Sequence, residues 1–434
     1  MYRTAIKELI KWKLDKQKKP LVFLGARQVG KTWLIKEFGN SEYRQMVYVN
    51  FEHPKSPKKL FEIDFDVDRI ITVLNAYANM KITPQDTLIV FDEIQATPQG
   101  VTSLKYFCEN APEYHIIAAG SLLGINIHPG ESFPVGKVDF LKLYPMSFYE
   151  FLIAMEESGI VELIENQDWE NLFFFHHKLV NYLRYYYYVG GMPEAVLSFS
   201  QNRDWKKVRR IQNAILSAYR NDFSKHAPKE ILPRINMVWE NMPAQLSKEN
   251  KKFIYSMIRE GARAKEFEMA IQWITDAGLL HKVYGVSKPA LPLVAYREMA
   301  AFKLYHNDVG LLGAMTGLSA KTIIDGDAIF TEFKGALTEQ YVFQQLMQND
   351  DLIIDYYPFD NNKYEIDFVI QCEEGEIVPI EVKAGENVRA KSFKLFCEKF
   401  APERAIRTSL SNYRKESWMT NVPLYIIGNY FNQM

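Results

Sequence analysis

Two short stretches of the chain combine residue types that can do chemistry with spacings that bring them together. The first is "GARQVGKT", Gly25 to Thr32, which fits G-x-x-x-x-G-K-[ST]. Gly25 and Gly30 let the backbone curl, so the N–H groups of Ala26, Arg27, Gln28 and Val29 can converge on phosphate oxygens. Lys31 is then expected to reach the β- and γ-phosphates of ATP, and Thr32 to offer its hydroxyl to Mg²⁺. The apolar "LVFL" before the loop and "WLIKEF" after it supply the strand and helix the motif requires. The helix N-terminus adds a dipole that favours an anion.

A partner stretch follows at 86–95, "DTLIVFDEIQ", which reads as a buried strand ending in Asp92 and Glu93. Asp92 is expected to hold Mg²⁺ through water, and Glu93 to polarise an attacking water. A third apolar strand, "HIIAAGSLL" at 115–123, ends near Ser121. Ser121 suits either a sensor of the γ-phosphate or an ordinary turn serine.

The second chemical stretch is "PIEVKAG", 379–385, which puts Glu381 and Lys383 on one face of an apolar strand. Upstream, "KYEIDFVIQ" (363–371) is a further strand, with Glu365 and Asp367 on one face, and a hairpin would bring Asp367 beside Glu381. The helix "FKGALTEQYVFQQLMQND" (333–350) carries Glu339 on a stripe with Val342, Phe343 and Leu346. An acid on such a face is costly unless it is paired or metal-bound. Helix, strand and strand thus each supply a carboxylate, and Lys383 completes a PD-(D/E)xK pattern. Asp367 and Glu381 are hard oxygen ligands for Mg²⁺ or Mn²⁺, with Glu339 as a further ligand and Lys383 orienting a water for phosphodiester hydrolysis. The alternative is an acid–lysine cluster that only stabilises the domain or binds nucleic acid, because a fold does not fix its function. Lys391, Lys394, Lys399, Arg404 and Arg407 follow the cluster and suit either a DNA phosphate surface or a solvated helix face.

These residues need elements to hold them. The 434-residue chain suggests two to four domains, and 47% apolar with 24% charged residues is ordinary for globular structure. A net charge of −1 means that any nucleic-acid contact must come from local patches. Cys108, Cys372 and Cys397 have no zinc spacing and fit a reducing compartment. The N-terminal residues do not read as a signal peptide, and no apolar run is long enough for a membrane span, so a cytoplasmic protein is expected. "FFFHHKLVNYLRYYYYVGG" reads as a core helix. Residues 231–315 read as helices followed by strands, with "NKKFIYSMIREG" as one helix and "AKEFEMAIQWITDAG" as the next. This order suits a winged helix. Glu266, Glu268 and Asp276 on its second helix disfavour DNA reading, whereas Lys248, Lys251, Lys252, Arg259 and Arg263 before it favour that contact.

"GARQVGKT", "FDEIQ", "AAGSLLG" and "LYPMSFYEFL", in that order, resemble a family of bacterial and archaeal AAA-type ATPases with a C-terminal domain of unknown function. The resemblance implies an α/β multi-domain chain. Its parts are a P-loop AAA-type ATPase core (1–154), a helical lid (155–230), a winged helix (231–318) and a restriction-endonuclease-like domain (325–434). It also implies that Pro193, in "VGGMPEAV", packs on adenine, although a proline in a first helical turn after two glycines also explains itself. Arg220 is a further candidate charge near the nucleotide. Gly136-Lys137 stands where the family has Gly-Arg, and lysine lacks the bidentate fork of an arginine finger. The expected activity is ATP hydrolysis coupled to a DNA-directed, metal-dependent nuclease-like domain. The alternative is a nucleotide switch that binds a protein or DNA partner without cutting.

Overall fold

The computed structural model describes residues 1–120, 134–247, 252–324, 331–359, 364–385 and 391–431. The chain divides into two compact units. One holds residues 3–144 with 276–278, and the other holds 1–2, 145–275 and 279–434.

The first unit is built on five parallel strands: β1 (Leu21–Leu24), β2 (Gln45–Asn50), β3 (Thr87–Asp92), β4 (His115–Ala119) and β5 (Asp139–Lys142). Their order in the sheet is β2-β3-β4-β1-β5. β3 and β4 are buried along their whole length, as parallel strands covered on both faces must be. Phe51, Phe61, Phe91 and Phe107 anchor the core over one face. β4 lies between β1, which leads into "GARQVGKT", and β3, which ends at Asp92. The third apolar strand of the sequence thus sits between the strands that carry the two motifs.

The second unit combines helices with eight strands. These are β6 (Leu280–Val286), β7 (Arg297–His306), β8 (Ile353–Phe359), β9 (Tyr364–Gln371), β10 (Ile377–Val382), β11 (Ile406–Ser409), β12 (Arg414–Lys415) and β13 (Thr420–Pro423). The sheet order is β12-β13-β11-β10-β9-β8-β6-β7. The β6–β7 hairpin, expected as a wing, therefore continues the same sheet as the C-terminal strands, with Gly285 of β6 paired in parallel to Tyr356 of β8.

Three sequence expectations need correction here. Residues 252–263 form no α-helix. The Gln245 side chain clasps both backbone polar groups of Ile254, the N–H and carbonyl lying 2.9 Å away, and Phe253 N–H donates to Phe302 O, which holds the segment extended. The aromatic block is a core helix only over His176–Val189, because Phe173, Phe174 and Phe175 lie exposed in a 3₁₀ turn before it. The helix Thr331–Leu346 is not amphipathic. From Ala336 to Leu346 it is buried on every side, including Thr338, Glu339, Gln340, Gln344 and Gln345. Its glutamines act as backbone readers. Gln340 bonds both the N–H and the carbonyl of His306, Gln344 accepts from Val309 N–H, and Gln345 accepts from Phe148 N–H at 2.8 Å. A buried amide with both ends satisfied avoids the desolvation cost that would otherwise exclude it.

Asp308 ties this region together. It caps the helix Val309–Met315 through Leu311 N–H (2.8 Å) and accepts from Gly191 N–H (2.5 Å) and Gln344 Nε2 (3.2 Å). Gly190 has φ +71°, and a β-carbon there would sit 2.2 Å from the Asp308 carboxylate, while one on Gly191 would sit 2.1 Å from Met146 O. The glycine pair of "VGGMPEAV" is therefore required by close backbone approach.

Candidate nucleotide site and carboxylate cluster

The loop after β1 has the curl its glycines allow. Gly25 has φ +155° and a β-carbon on it would meet Leu143 O at 2.5 Å. Gln28 and Gly30 are both left-handed, at φ 66° and 96°. Gly30 opens the helix Lys31–Glu42 with no side-chain cap, so the first N–H groups of that helix have no cap of their own. The Lys31 ammonium turns back onto the loop and donates to Gly25 O (2.7 Å) and Ala26 O (2.9 Å). Burial lowers its pKa to about 8 against the opposing pull of Glu93 and Asp92.

At the end of β3, Thr32 Oγ1 donates to Asp92 Oδ2 at 3.0 Å, and Tyr48 O–H donates to the same oxygen. Tyr48, on the neighbouring strand β2, was not foreseen. Glu93 has left-handed backbone (φ 52°), a conformation that costs a non-glycine residue about 1 kcal/mol. Its Oε2 accepts from Gln95 Nε2 at 2.6 Å. Burial raises the Glu93 carboxyl, with Asp92 and Glu52 adding to the effect, which makes it a better proton acceptor than an exposed glutamate. The residues thus fit ATP and Mg²⁺. The loop presents N–H donors and one ammonium, and a hydroxyl and a carboxylate already meet where the ion belongs.

Other expected residues fall elsewhere. Ser121, Lys248 and Lys251 lie outside the described residues. Lys137 is paired with Glu109 at 2.9 Å, which raises its pKa. Arg220 is exposed beside Glu240 at 3.6 Å. Pro193 is the first residue of the helix Pro193–Asn202, where its fixed φ suits a helix start.

In the second unit, β9 and β10 form the expected hairpin. Ile380 pairs with Phe368, so the next step brings Glu381 opposite Asp367, and Val382 N–H donates to Asp367 Oδ2 at 2.7 Å. Glu381 is buried and its Oε1 is bonded to the Lys383 ammonium. Its Oε2 has no hydrogen-bond partner among the described residues. Burial raises the Glu381 carboxyl against the pull of Lys383. Burial also lowers Lys383, but Glu381 and Asp367 outweigh it and hold the ammonium above its usual range.

Glu339 joins this group from its helix, but with a partner the sequence reading missed. Lys303 of β7, fully buried, places Nζ 3.1 Å from Glu339 Oε1 and 2.5 Å from Glu365 Oε1. Tyr305 O–H donates to the same Glu339 oxygen. A lysine set between Phe302 and Leu304 in an apolar strand was the available signal. Among the described residues, no three His, Cys, Asp or Glu side chains converge to hold a metal ion. Of the expected metal set, Glu339 and Glu381 are instead paired with Lys303 and Lys383, and Asp367 accepts from Val382 N–H, so the cluster does not fit Mg²⁺ or Mn²⁺ as it stands. The basic surface is also smaller than expected. Lys391, Lys394 and Lys399 are exposed on the helix Lys391–Phe400, while Arg404 is bonded to Glu376 and Arg407 lies buried on β11 with Asn421.

Comparison with known proteins assigns the first unit. Residues 17–152 match the family model described as an AAA domain. With the P-loop and the strand order above, this region is similar to AAA domains of the P-loop class. Residues 180–322 and 334–427 match two families described as domains of unknown function, DUF8612 and DUF4143. No curated protein matches the chain. Similar solved structures include a Walker-type ATPase of Pyrococcus abyssi, at 15% identity and TM-score 0.46, covering 73% of this chain and 95% of that one. Another is the Orc1 protein of Aeropyrum pernix in complex with DNA, at 12% identity and TM-score 0.32, covering 73% and 93%. Among the described residues, no helix is long and apolar enough to cross a membrane.

Proposed function

We propose that the chain is a Mg²⁺-dependent ATP-hydrolysing AAA-type ATPase whose C-terminal region binds a partner under nucleotide control without cutting nucleic acid. The observation that carries the first part is the meeting of Thr32 Oγ1 with Asp92 beside a lysine that donates to loop carbonyls. Lys31 binds the β- and γ-phosphates, and the loop N–H groups with the helix N-terminus orient them. Thr32 Oγ1 and Asp92 would hold Mg²⁺, which would supply charge neutralisation at those phosphates. Glu93 holds the attacking water and takes its proton at the carboxylate, with Gln95 fixing the orientation of that group.

The second part is supported by the pairing of the C-terminal carboxylates with Lys303 and Lys383. Carboxylates locked to ammonium groups offer fewer lone pairs to a catalytic ion. The exposed face of Lys391, Lys394 and Lys399 suits a phosphate-rich partner such as DNA. Phosphate release from ATP tests the first part, with Glu93→Gln expected to bind ATP but not turn it over. Plasmid cleavage with Mg²⁺ or Mn²⁺ tests the second, and cleavage that disappears in Lys383→Ala would overturn it.

A further inference from the structure

The mismatch between the C-terminal carboxylates and a metal ion has a specific cause, and the inference drawn from it rests on the non-cutting reading above. Lys303 Nζ is fully buried and lies between Glu339 Oε1 and Glu365 Oε1, at 3.1 and 2.5 Å. The Tyr356 ring sits 4.7 Å from the same nitrogen. A buried ammonium is tolerated only when carboxylates surround it. Burial pulls Lys303 down, but Glu339, Glu365 and Asp367 outweigh that and hold it far above its usual range. The two carboxylate contacts thus favour the charged form. Glu381, close enough to feel Glu339 and Glu365 electrostatically, keeps an unpartnered buried oxygen. The charge pattern is that of an acidic site whose central cation is supplied by the chain.

We propose that Lys303 is a built-in counter-cation standing where a divalent ion would bridge Glu339 and Glu365, and that removing its charge uncovers a divalent-cation site there. An ammonium and a divalent ion both satisfy two converging carboxylate oxygens, and modest rotation of the two side chains brings their oxygens from ammonium to metal–oxygen distance. Lys303 lies in the matched region 180–322, while both glutamates lie in the region 334–427. One matched region thus neutralises the other.

The test counts Mn²⁺ bound by the nucleotide-free full chain, from the signal of free Mn²⁺ in electron paramagnetic resonance, alongside thermal midpoints in EDTA and in Mn²⁺. Wild type, Lys303→Arg and Glu339→Gln should give superimposable Mn²⁺ titrations. Lys303→Met should bind one additional Mn²⁺ per chain, with a midpoint raised by Mn²⁺. Lys303→Met/Glu339→Gln should lose both effects. Where Lys303→Met does not fold in EDTA, recovery of the fold on adding Mn²⁺ supports the proposal. Failure to recover, while the double variant folds, overturns it. Wild-type Mn²⁺ binding that is lost in Glu339→Gln also overturns it. Such binding without plasmid cleavage would leave the non-cutting reading standing, whereas Lys383-dependent cleavage would strike that reading itself.

Discussion

The P-loop and the C-terminal cluster both set lysine near acidic side chains, yet they use the lysine in opposite ways. Lys31 donates to two neutral carbonyls of its own loop. Its charge is stabilised but not cancelled, and an arriving phosphate can take over those bonds. Lys303 and Lys383 donate to carboxylates, so their charge is already cancelled. Neutral acceptors hold a cation ready for a ligand, whereas anionic acceptors consume it. Residue type is alike at the two places, and the partner decides between recruitment and architecture.

The sharpest way to break this contrast is to remove each lysine. Lys31→Ala should lower ATP turnover by about 100-fold or more, read as phosphate release, because the phosphate charge loses its main side-chain partner. Glu93→Gln should give a loss of about 100-fold or more while nucleotide binding persists in a fluorescent-nucleotide titration. Lys303→Met should instead act on stability, costing about 3–5 kcal/mol in denaturant unfolding because two carboxylates lose their counter-charge. If it altered turnover and left stability untouched, the contrast would fail. Gly191→Ala should cost about 1–3 kcal/mol by the same measurement, since its β-carbon meets Met146 backbone, whereas Gly159→Ala, with open space around it, should be neutral or stabilising.

The smallest effect concerns acid. Burial, with Lys18 and Lys13 adding to it, lowers His115 in the first unit to about 4, where its Nδ1 meets Tyr43 O–H at 2.8 Å. The folded state therefore holds it neutral. Its contribution is complete above the unfolded value near 6.5 and is lost as pH falls toward about 4, a loss of about 1–3 kcal/mol. Unfolding of His115→Phe should show a shallower acid slope over that window. Burial, with His281 second, lowers His306 in the other unit to about 3, so the two units share this weakness although their lysines differ.

The nucleotide site was legible because its parts are local. Eight consecutive residues define the loop, and Asp92 and Glu93 end one apolar strand that pairs in parallel with its neighbours. The hairpin bringing Asp367 to Glu381 was legible for the same reason, since period-two alternation and a short turn fix its register. The partners of Lys303 were not legible. The lysine reaches Glu339 and Glu365 only because β6 pairs with β8 across a long sequence separation, and nothing in "FKLYH" announces that partner. The helix Thr331–Leu346 misled for a related reason. Periodicity reports an interface between core and water, and a helix surrounded by protein has none, so the stripe of Glu339, Val342, Phe343 and Leu346 marked only part of its buried surface. The Gly190–Gly191 pair was visible as a signature, but its cause, the carboxylate of Asp308 more than a hundred residues away, was not.

Continuity of the second sheet from β7 to β12 bears on how such a chain can be inherited. A gene segment encoding only residues 334–427 would yield a strand β8 with a bare hydrogen-bonding edge where β6 should lie, and two inward acids with no neutralising base. Exposed edges invite pairing with other chains. Recombination that kept this piece would have to carry the preceding hairpin with it or supply a replacement cation and an edge cover at once. The two neighbouring regions of unknown function are thus joined through one sheet and one set of ion pairs, so a change at position 303 is expected to need an answering change at 339 or 365.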